Sequence, residues 1–325
     1  VRVLITGSSG SIGTNLALRL LEGGHEVFGV DKRVNPWTDA FQYLLQDLSG
    51  SYPAHLGGIG GVDYPEVDLV VHLAANAKVH QLVAEPERAL DNATMTFNVL
   101  QYCRGAGIPL VYSSTREVYG DVHRFEGYSE DTADFALTES PYSASKIAGE
   151  AFIYSYARCY GLRYLVFRFS NVYGRYDNDL HRMSRVIPLF VHEMLRDEPV
   201  TVYGAEKVLD FTYVDDCVSG LVLGIEGLAA GSVENETINL GYGQGNSLVR
   251  AAELIATELG KDAEIRIEMS RLGEVRRYIA DIAKAKDLLG WTPRTPLDAG
   301  IPKAVEWFLE HRAANPAENR PVALR

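Results

Sequence analysis

Tyr142 and Lys146 stand four residues apart, and three hydroxyl residues, Ser113, Ser114 and Thr115, lie upstream of them. Four residues is one helical turn, so a helix beginning near Pro141 turns phenol and ammonium to one face. A phenol with a pKa near 10 is a poor base at neutral pH. A neighbouring cation favours the phenolate, which can then take a proton from a substrate hydroxyl. A hydroxyl at the end of a strand, such as Thr115, can bond the same substrate oxygen.

A second constellation opens the chain. Gly7, Gly10 and Gly13 punctuate a run that includes Ser11 and Ile12 and follows the first apolar stretch at once. Such glycines permit a tight turn and close approach of a pyrophosphate, whose charge then rests on a helix N-terminus. Asp31 lies 18 residues beyond Gly13, at the end of the second β-rich run. A carboxylate there accepts hydrogen bonds from an adenosine ribose and disfavours a 2′-phosphate. The pair points to NAD rather than NADP, although Lys32 and Arg33 beside Asp31 would suit the phosphate.

These groups need a scaffold. Strand-like runs at Val1–Thr6, Glu26–Val30, Asp68–Leu73 and Pro109–Ser113 alternate with helical patterns at Thr14–Glu22 and Glu85–Gly105. A long helix Ser143–Tyr160 then precedes a strand Tyr164–Ser170. Apolar runs separated by helices predict an α/β, doubly wound parallel sheet of the Rossmann type. Beyond residue 175 the rhythm loosens. Helices are expected at Arg185–Arg196, Leu248–Leu259, Ile282–Leu289 and Gly300–His311, with strands at Val200–Tyr203, Thr237–Leu240 and Ile265–Glu268. The expected division is a dinucleotide domain over 1–175, to which 205–240 returns, and a smaller α/β substrate domain over 176–325. The tail from Ala313 reads as frayed.

Composition removes several function classes. A net charge of −12 argues against holding nucleic acid or an anionic membrane by general attraction. Cys103, Cys159 and Cys217 are isolated, which speaks against a disulfide framework or a zinc site and for a reducing compartment. The chain opens on a strand rather than a basic-then-apolar leader, and no apolar run reaches about 18 residues. The expectation is a cytoplasmic protein without a metal.

Taken in order, the glycine run, His72-Leu73-Ala74-Ala75, Ser113-Ser114-Thr115 before Val118-Tyr119-Gly120, and Ser140-Pro141-Tyr142 with Lys146 resemble the extended short-chain dehydrogenase/reductases. Phe169-Ser170-Asn171-Val172-Tyr173-Gly174 and Asp210-Phe211 with Tyr213, Val214 and Asp216 extend the likeness to about Phe308. Within that group the chain is similar to the nucleotide-sugar epimerases, dehydratases and decarboxylases. The resemblance implies a triad of Thr115, Tyr142 and Lys146, with Lys146 holding Tyr142 ionised. It implies that Asp31, Asp47 and Leu48 bind the adenosine half, while Leu73, Ala74, Ala75 and Ser113 line the cofactor groove. Asn171 would contact the sugar diphosphate, and Tyr203 would lie against the base of a UDP-linked sugar. NAD would stay bound and be recycled through a 4-keto sugar. Two helices, Glu85–Gly105 and Ser143–Tyr160, would pair across a homodimer.

Glu117 and Arg116 bear on the reaction. Simple 4-epimerases resembling this chain carry a small or hydroxyl residue where Glu117 stands; dehydratases and decarboxylases carry Glu. Once C4 is a ketone the C5 proton is acidic, and a carboxylate near C5 can remove or return it. A 4,6-dehydratase typically has Asp at the preceding position, where this chain has Arg116. Arginine is no proton donor at neutral pH, but it can bind a carboxylate at C6. That favours decarboxylation of a UDP-linked glucuronate, with Arg182, Arg185, Arg276 and Arg277 as further cations for carboxylate or diphosphate. The alternative for Arg116 is a side chain in solvent. Many relatives have an Arg before the Asp-Phe pair, which Lys207 would replace here. Ser140-Pro141 is epimerase-like and keeps 4-epimerisation open, as does a dehydratase activity. A non-catalytic NAD-responsive regulator is the reading from another class.

Overall fold

A computed structural model describes residues 1–50, 59, 62–121, 127–177 and 185–314. The chain begins β1 (Arg2–Thr6), α1 (Ser11–Glu22), β2 (Glu26–Asp31), β3 (Gln42–Leu45), β4 (Leu69–His72), α2 (Val79–Ala84), α3 (Glu87–Ala106) and β5 (Leu110–Thr115). It continues through α4 (Pro141–Tyr160), β6 (Tyr164–Phe169), β7 (Asn171–Tyr173), α5 (Val186–Leu195), β8 (Val200–Tyr203) and β9 (Val208–Tyr213). The remainder is α6 (Val214–Ala230), β10 (Glu236–Leu240), β11 (Gly245–Ser247), α7 (Leu248–Leu259), β12 (Ile265–Glu268), β13 (Arg277–Tyr278), α8 (Ala283–Leu289) and α9 (Leu297–Ala314).

Seven strands form one parallel sheet in the order β10-β6-β5-β4-β1-β2-β3. Both faces are covered, and β1 shows how: Val3 and Ile5 enter one apolar cluster with Leu16 and Leu20 of α1, whereas Leu4 enters another with Val99 and Leu100 of α3 and Ile153 of α4. The two-residue period of a strand makes that division. Chain order reverses between β1 and β4, which opens a crevice at their carboxyl ends, the ligand position of such sheets. Beyond the sheet, β9 pairs with β7, β11 and β13, and β8 pairs with β12.

The doubly wound parallel sheet expected from sequence is present. Helix α6 has no counterpart among the expected elements. Its apolar residues leave no clean stripe, and Gly220 and Gly224 weaken a helical reading. Tertiary packing explains those glycines: a Cβ on Gly224 would meet the Phe167 ring at 2.4 Å, and one on Gly220 would meet Leu240 at 2.8 Å. The strand β5 runs two residues further than expected, so Ser114 and Thr115 belong to it. The tail beyond Ala314 and Arg182 lie outside the described residues.

Candidate active site

One cavity of about 450 Å³ runs along the carboxyl ends of β1, β2, β4 and β5. At the β1–α1 turn Gly7 has φ +74°, and a Cβ on it would stand 2.7 Å from the Ala74 nitrogen. A Cβ on Gly13 would meet the Gly7 oxygen at 2.2 Å. Gly10 occupies the N-cap of α1 without any side-chain cap, so the amides of the first turn face the cavity uncompeted. Asp31, at the tip of β2, is oriented by the amides of Ser9 (3.0 Å) and Arg33 (3.1 Å). Lys32, Asp47, Leu48, Leu73, Ala74 and Ala75 complete this wall. Glycine cradle, open helix terminus and oriented carboxylate fit a dinucleotide: pyrophosphate on α1, adenosine ribose at Asp31.

Ser140 fixes the start of α4. Its hydroxyl accepts from the Ser143 amide (3.2 Å), and the Ser143 hydroxyl accepts from the Ser140 amide (3.1 Å). That double cap sets the first turn, and with it Tyr142 and Lys146, both buried and both on the cavity wall. The Tyr142 phenol lies beside Thr115 at the end of β5, whose hydroxyl favours its ionised form. Burial pushes the phenol up to about 12 and the nearby Glu117 adds to this, whereas Thr115, Arg185 and Arg116 pull it back. Lys146 donates to the Ser113 carbonyl (2.7 Å) and lies 4.8 Å above the Tyr112 ring. Burial lowers its ammonium to about 7, against the opposing pull of Glu150. The cations acting most on the phenol are therefore Arg185 and Arg116, while Lys146 is turned to the backbone of β5. Ser113 in turn donates to the His72 carbonyl (3.0 Å), tying β5 to β4.

Glu117 follows β5 in a single 3₁₀ turn, Arg116–Tyr119, whose N-cap is Thr115. Its Oε1 lies 2.9 Å from Nη2 of Arg116, and both side chains are largely buried, at 5% and 12% exposure. Arg116 is thus a cavity side chain and does not point to solvent. Nη1 of Arg116 and Oε2 of Glu117 are buried with no hydrogen-bond partner among the described residues. Burial raises the Glu117 carboxyl above its usual range; Arg116 and Lys207 oppose this, and Glu274 and Asp121 reinforce it. A cation and an acid–base group line one cavity with the phenol, and each keeps one buried polar atom without a partner among the described residues.

The other expected substrate residues divide. Asn171, Arg185, Tyr203 and Lys207 line the cavity. Asn171 is pinned by the Asp210 carbonyl (3.0 Å), and Arg185 is 3.4 Å from Asp177. Lys207 is 5% exposed and ion-paired to Glu274, so its charge is already matched. Arg277 does not line the cavity; its backbone pairs with β9, and the neighbouring Arg276 is bonded to Asp121. The cavity takes instead Arg271, stacked 3.8 Å over the Tyr203 ring, together with Glu274, Lys78 and His80. No spacing joins these four in the sequence: Lys78 and His80 stand at the start of α2, Arg271 and Glu274 on the connection between β12 and β13, and only the fold brings them together. No cluster of three or more His, Cys, Asp or Glu able to hold a metal occurs among the described residues, and no helix there is long and apolar enough to cross a membrane.

Comparison with known proteins agrees with this geometry. Residues 3–241 match the model of the NAD dependent epimerase/dehydratase family. The chain is 32% identical to UDP-glucuronic acid decarboxylase 1 of Xenopus tropicalis, over 100% of its own length and 76% of the relative's. It is also 32% identical to the UDP-glucose 4-epimerase of Thermotoga maritima, solved with UDP-glucose, at a TM-score of 0.86 and covering 96% of this chain and 99% of that one. The UDP-glucuronic acid 4-epimerase of Bacillus cereus, solved with UDP-glucuronic acid and NAD, superposes with a TM-score of 0.83 at 26% identity, covering 96% and 100%. The protein therefore belongs to the NAD-dependent epimerase/dehydratase family, the nucleotide-sugar enzymes of the extended short-chain dehydrogenase/reductase type.

Proposed function

We propose that this NAD-dependent enzyme oxidises the sugar of UDP-glucuronate at C4 and decarboxylates it, giving UDP-xylose or the UDP-4-keto-pentose. The observation that carries the reading is the buried Arg116–Glu117 pair beside Tyr142, with one bonding position unused on each partner. An unpaired guanidinium N–H in a buried pocket suits a carboxylate, whose own desolvation it offsets.

The glycine turn, the N-terminus of α1 and Asp31 would hold NAD, which would supply hydride acceptance at C4 and, for a UDP-xylose product, its return. Tyr142 takes the O4 proton, and Thr115 orients that hydroxyl. Lys146, anchored to the Ser113 carbonyl, supplies the fixed ammonium of the triad. Arg116 seats the C6 carboxylate. With a ketone at C4, loss of CO2 leaves an enolate, and Glu117 returns a proton to C5. Asn171, Tyr203 and Arg185 position the nucleotide diphosphate. The split into a dinucleotide part and a substrate part near residue 175 belongs to the same proposal. So does a homodimer through α3 and α4, where Leu90, Phe97 and Phe152 are exposed.

The second reading, 4-epimerisation, uses the same Tyr142, Thr115 and Lys146 and has a specific support in the equal identity to the Thermotoga epimerase. The test is NMR-monitored incubation of the protein and NAD with UDP-glucuronate, and separately with UDP-glucose. CO2 release with a pentose product is expected. A galacto isomer with the carboxylate retained would overturn decarboxylation in favour of epimerisation. Glu117→Gln is expected to stall the reaction after C4 oxidation, so that the reduced cofactor accumulates; unchanged turnover would remove Glu117 from the mechanism.

A further inference from the structure

We propose that binding of the sugar carboxylate loads one proton onto Glu117, so that the proton consumed by decarboxylation is in place before the C5–C6 bond breaks. This rests on the decarboxylase reading and adds a step to it.

Arg116 is the only cation bonded to Glu117 among the described residues, through Nη2 at 2.9 Å. Its guanidinium lines the cavity, and Nη2 alone is committed to Glu117, which leaves the cation to be shared with a substrate carboxylate. The other charged groups acting on Glu117 are matched. Lys207, at the start of β9, is paired with Glu274 from the connection after β12. Asp121, just beyond the 3₁₀ turn, is paired with Arg276. From α4 comes the neutral Tyr142 phenol, and Arg185 before α5 is paired with Asp177. Lys78, His80 and Arg271, also on the cavity wall, act on one another, and Glu274 acts on His80 as well.

A substrate carboxylate beside Arg116 therefore places two carboxylates on one guanidinium in a buried site. Two such groups cannot both stay ionised at ordinary cost, and one takes a proton. Glu117 is the better base of the two: burial already raises it above the usual carboxylate range. A sugar carboxylic acid, with electron-withdrawing oxygens beside it, is the stronger acid.

The step balances. The C5–C6 bond breaks, its electron pair moves toward the C4 ketone as an enolate, and CO2 departs from the ionised carboxylate. Glu117 gives its proton to C5 and returns to the carboxylate that Arg116 already holds. Site charge is the same before and after, which a buried pocket favours. The proton comes from solvent at the binding step, and one proton per turnover is what conversion of a uronate to a pentose and CO2 consumes.

The test is isothermal calorimetry at pH 7 in buffers of different ionisation enthalpy, using Tyr142→Phe protein loaded with NAD so that no turnover intervenes. UDP-glucuronate is expected to bind with uptake approaching about one proton per site, and UDP-glucose with little. Glu117→Gln in that background is expected to abolish the difference. Infrared difference spectra of the Tyr142→Phe protein supply a second measurement: UDP-glucuronate should raise the carbonyl band of a protonated carboxyl group, and UDP-glucose should not. Tight UDP-glucuronate binding with no extra proton overturns the inference and leaves the decarboxylase reading standing. Failure to bind UDP-glucuronate where UDP-glucose binds overturns both.

Discussion

The two ends of the cavity are built differently. At the cofactor end, the polar groups that matter are held by backbone: Asp31 by the amides of Ser9 and Arg33, Lys146 by the Ser113 carbonyl, Ser113 by the His72 carbonyl. At the sugar end, the partners are side chains: Arg116 with its neighbour Glu117 in the 3₁₀ turn and, from separate parts of the chain, Lys207 with Glu274 and Arg185 with Asp177. Buried side-chain atoms without a hydrogen-bond partner among the described residues occur at both ends, on Ser8 and Asn15 beside the glycine turn and on Arg116 and Glu117 beside the phenol. Native proteins rarely leave buried polar atoms unsatisfied unless a ligand or water meets them. One end is a rigid, general dinucleotide site. The other is an electrostatic surface whose bonding is completed by what binds.

The largest expected effect falls where the two ends meet. Tyr142→Phe removes the proton acceptor while leaving the double cap of α4 and the Lys146 anchor in place. Turnover should fall on the order of 10³-fold, the usual weight of a positioned acid–base group. Cofactor retention should be unchanged. NMR of the sugar product formed after mixing with nucleotide sugar reads the first quantity, and bound NAD after gel filtration reads the second. A variant that loses both would mean that the phenol belongs to the cofactor end as much as to the sugar end.

A smaller effect isolates the backbone-built end. Gly13→Ala places a methyl group 2.2 Å from the Gly7 oxygen and 2.9 Å from the Ser8 Cα. Both are backbone atoms, so the turn itself has to shift. Overpacking of this kind costs about 1–3 kcal/mol. The expected outcome is a lower thermal midpoint and weaker NAD binding, with the sugar-end ion pairs untouched. Wild-type affinity for NAD would show that the turn is more plastic than its contacts imply.

The same contrast governs what was legible in the sequence. Gly7, Gly10, Gly13 and Asp31 announce themselves because a backbone-built site needs particular residues at fixed spacing along one βαβ unit. Tyr142 and Lys146 are legible because one helical turn joins them. Glu117 and Arg116 stood out by residue type, but their mutual pairing and burial did not, since nothing in the sequence says which way adjacent side chains point. Arg271 and Glu274 were invisible: they reach the cavity from the connection between β12 and β13, and the sequence offered Arg276 and Arg277 with equal force. Helix α6 was missed because its glycines serve the packing of Phe167 and Leu240, a reason outside the helix itself.

The smallest expected effect is on stability, and its sign separates the two ends. His72, at the end of β4, is fully buried and bonded to Thr6 (2.7 Å) and Thr96 (3.2 Å). Burial, with Lys146 adding to it, holds its imidazole down to about 3. An unfolded histidine titrates near 6.5, so between those values the unfolded chain binds a proton that the folded chain refuses. Stability from this group is therefore complete above pH 6.5 and drains as pH falls toward 3, by at most about 1.4 kcal/mol per pH unit. Glu117 works in the opposite sense. Its raised carboxyl keeps a proton in the folded protein that the unfolded chain has released, so its contribution is lost as pH rises through the folded value. Urea unfolding at pH 7, 6 and 5 should show a shallower loss for His72→Asn than for the parent, after its own baseline cost is subtracted. An equal slope in both would mean that His72 opens to solvent before the sheet does, and the cofactor end would then be less rigid than its hydrogen bonds make it.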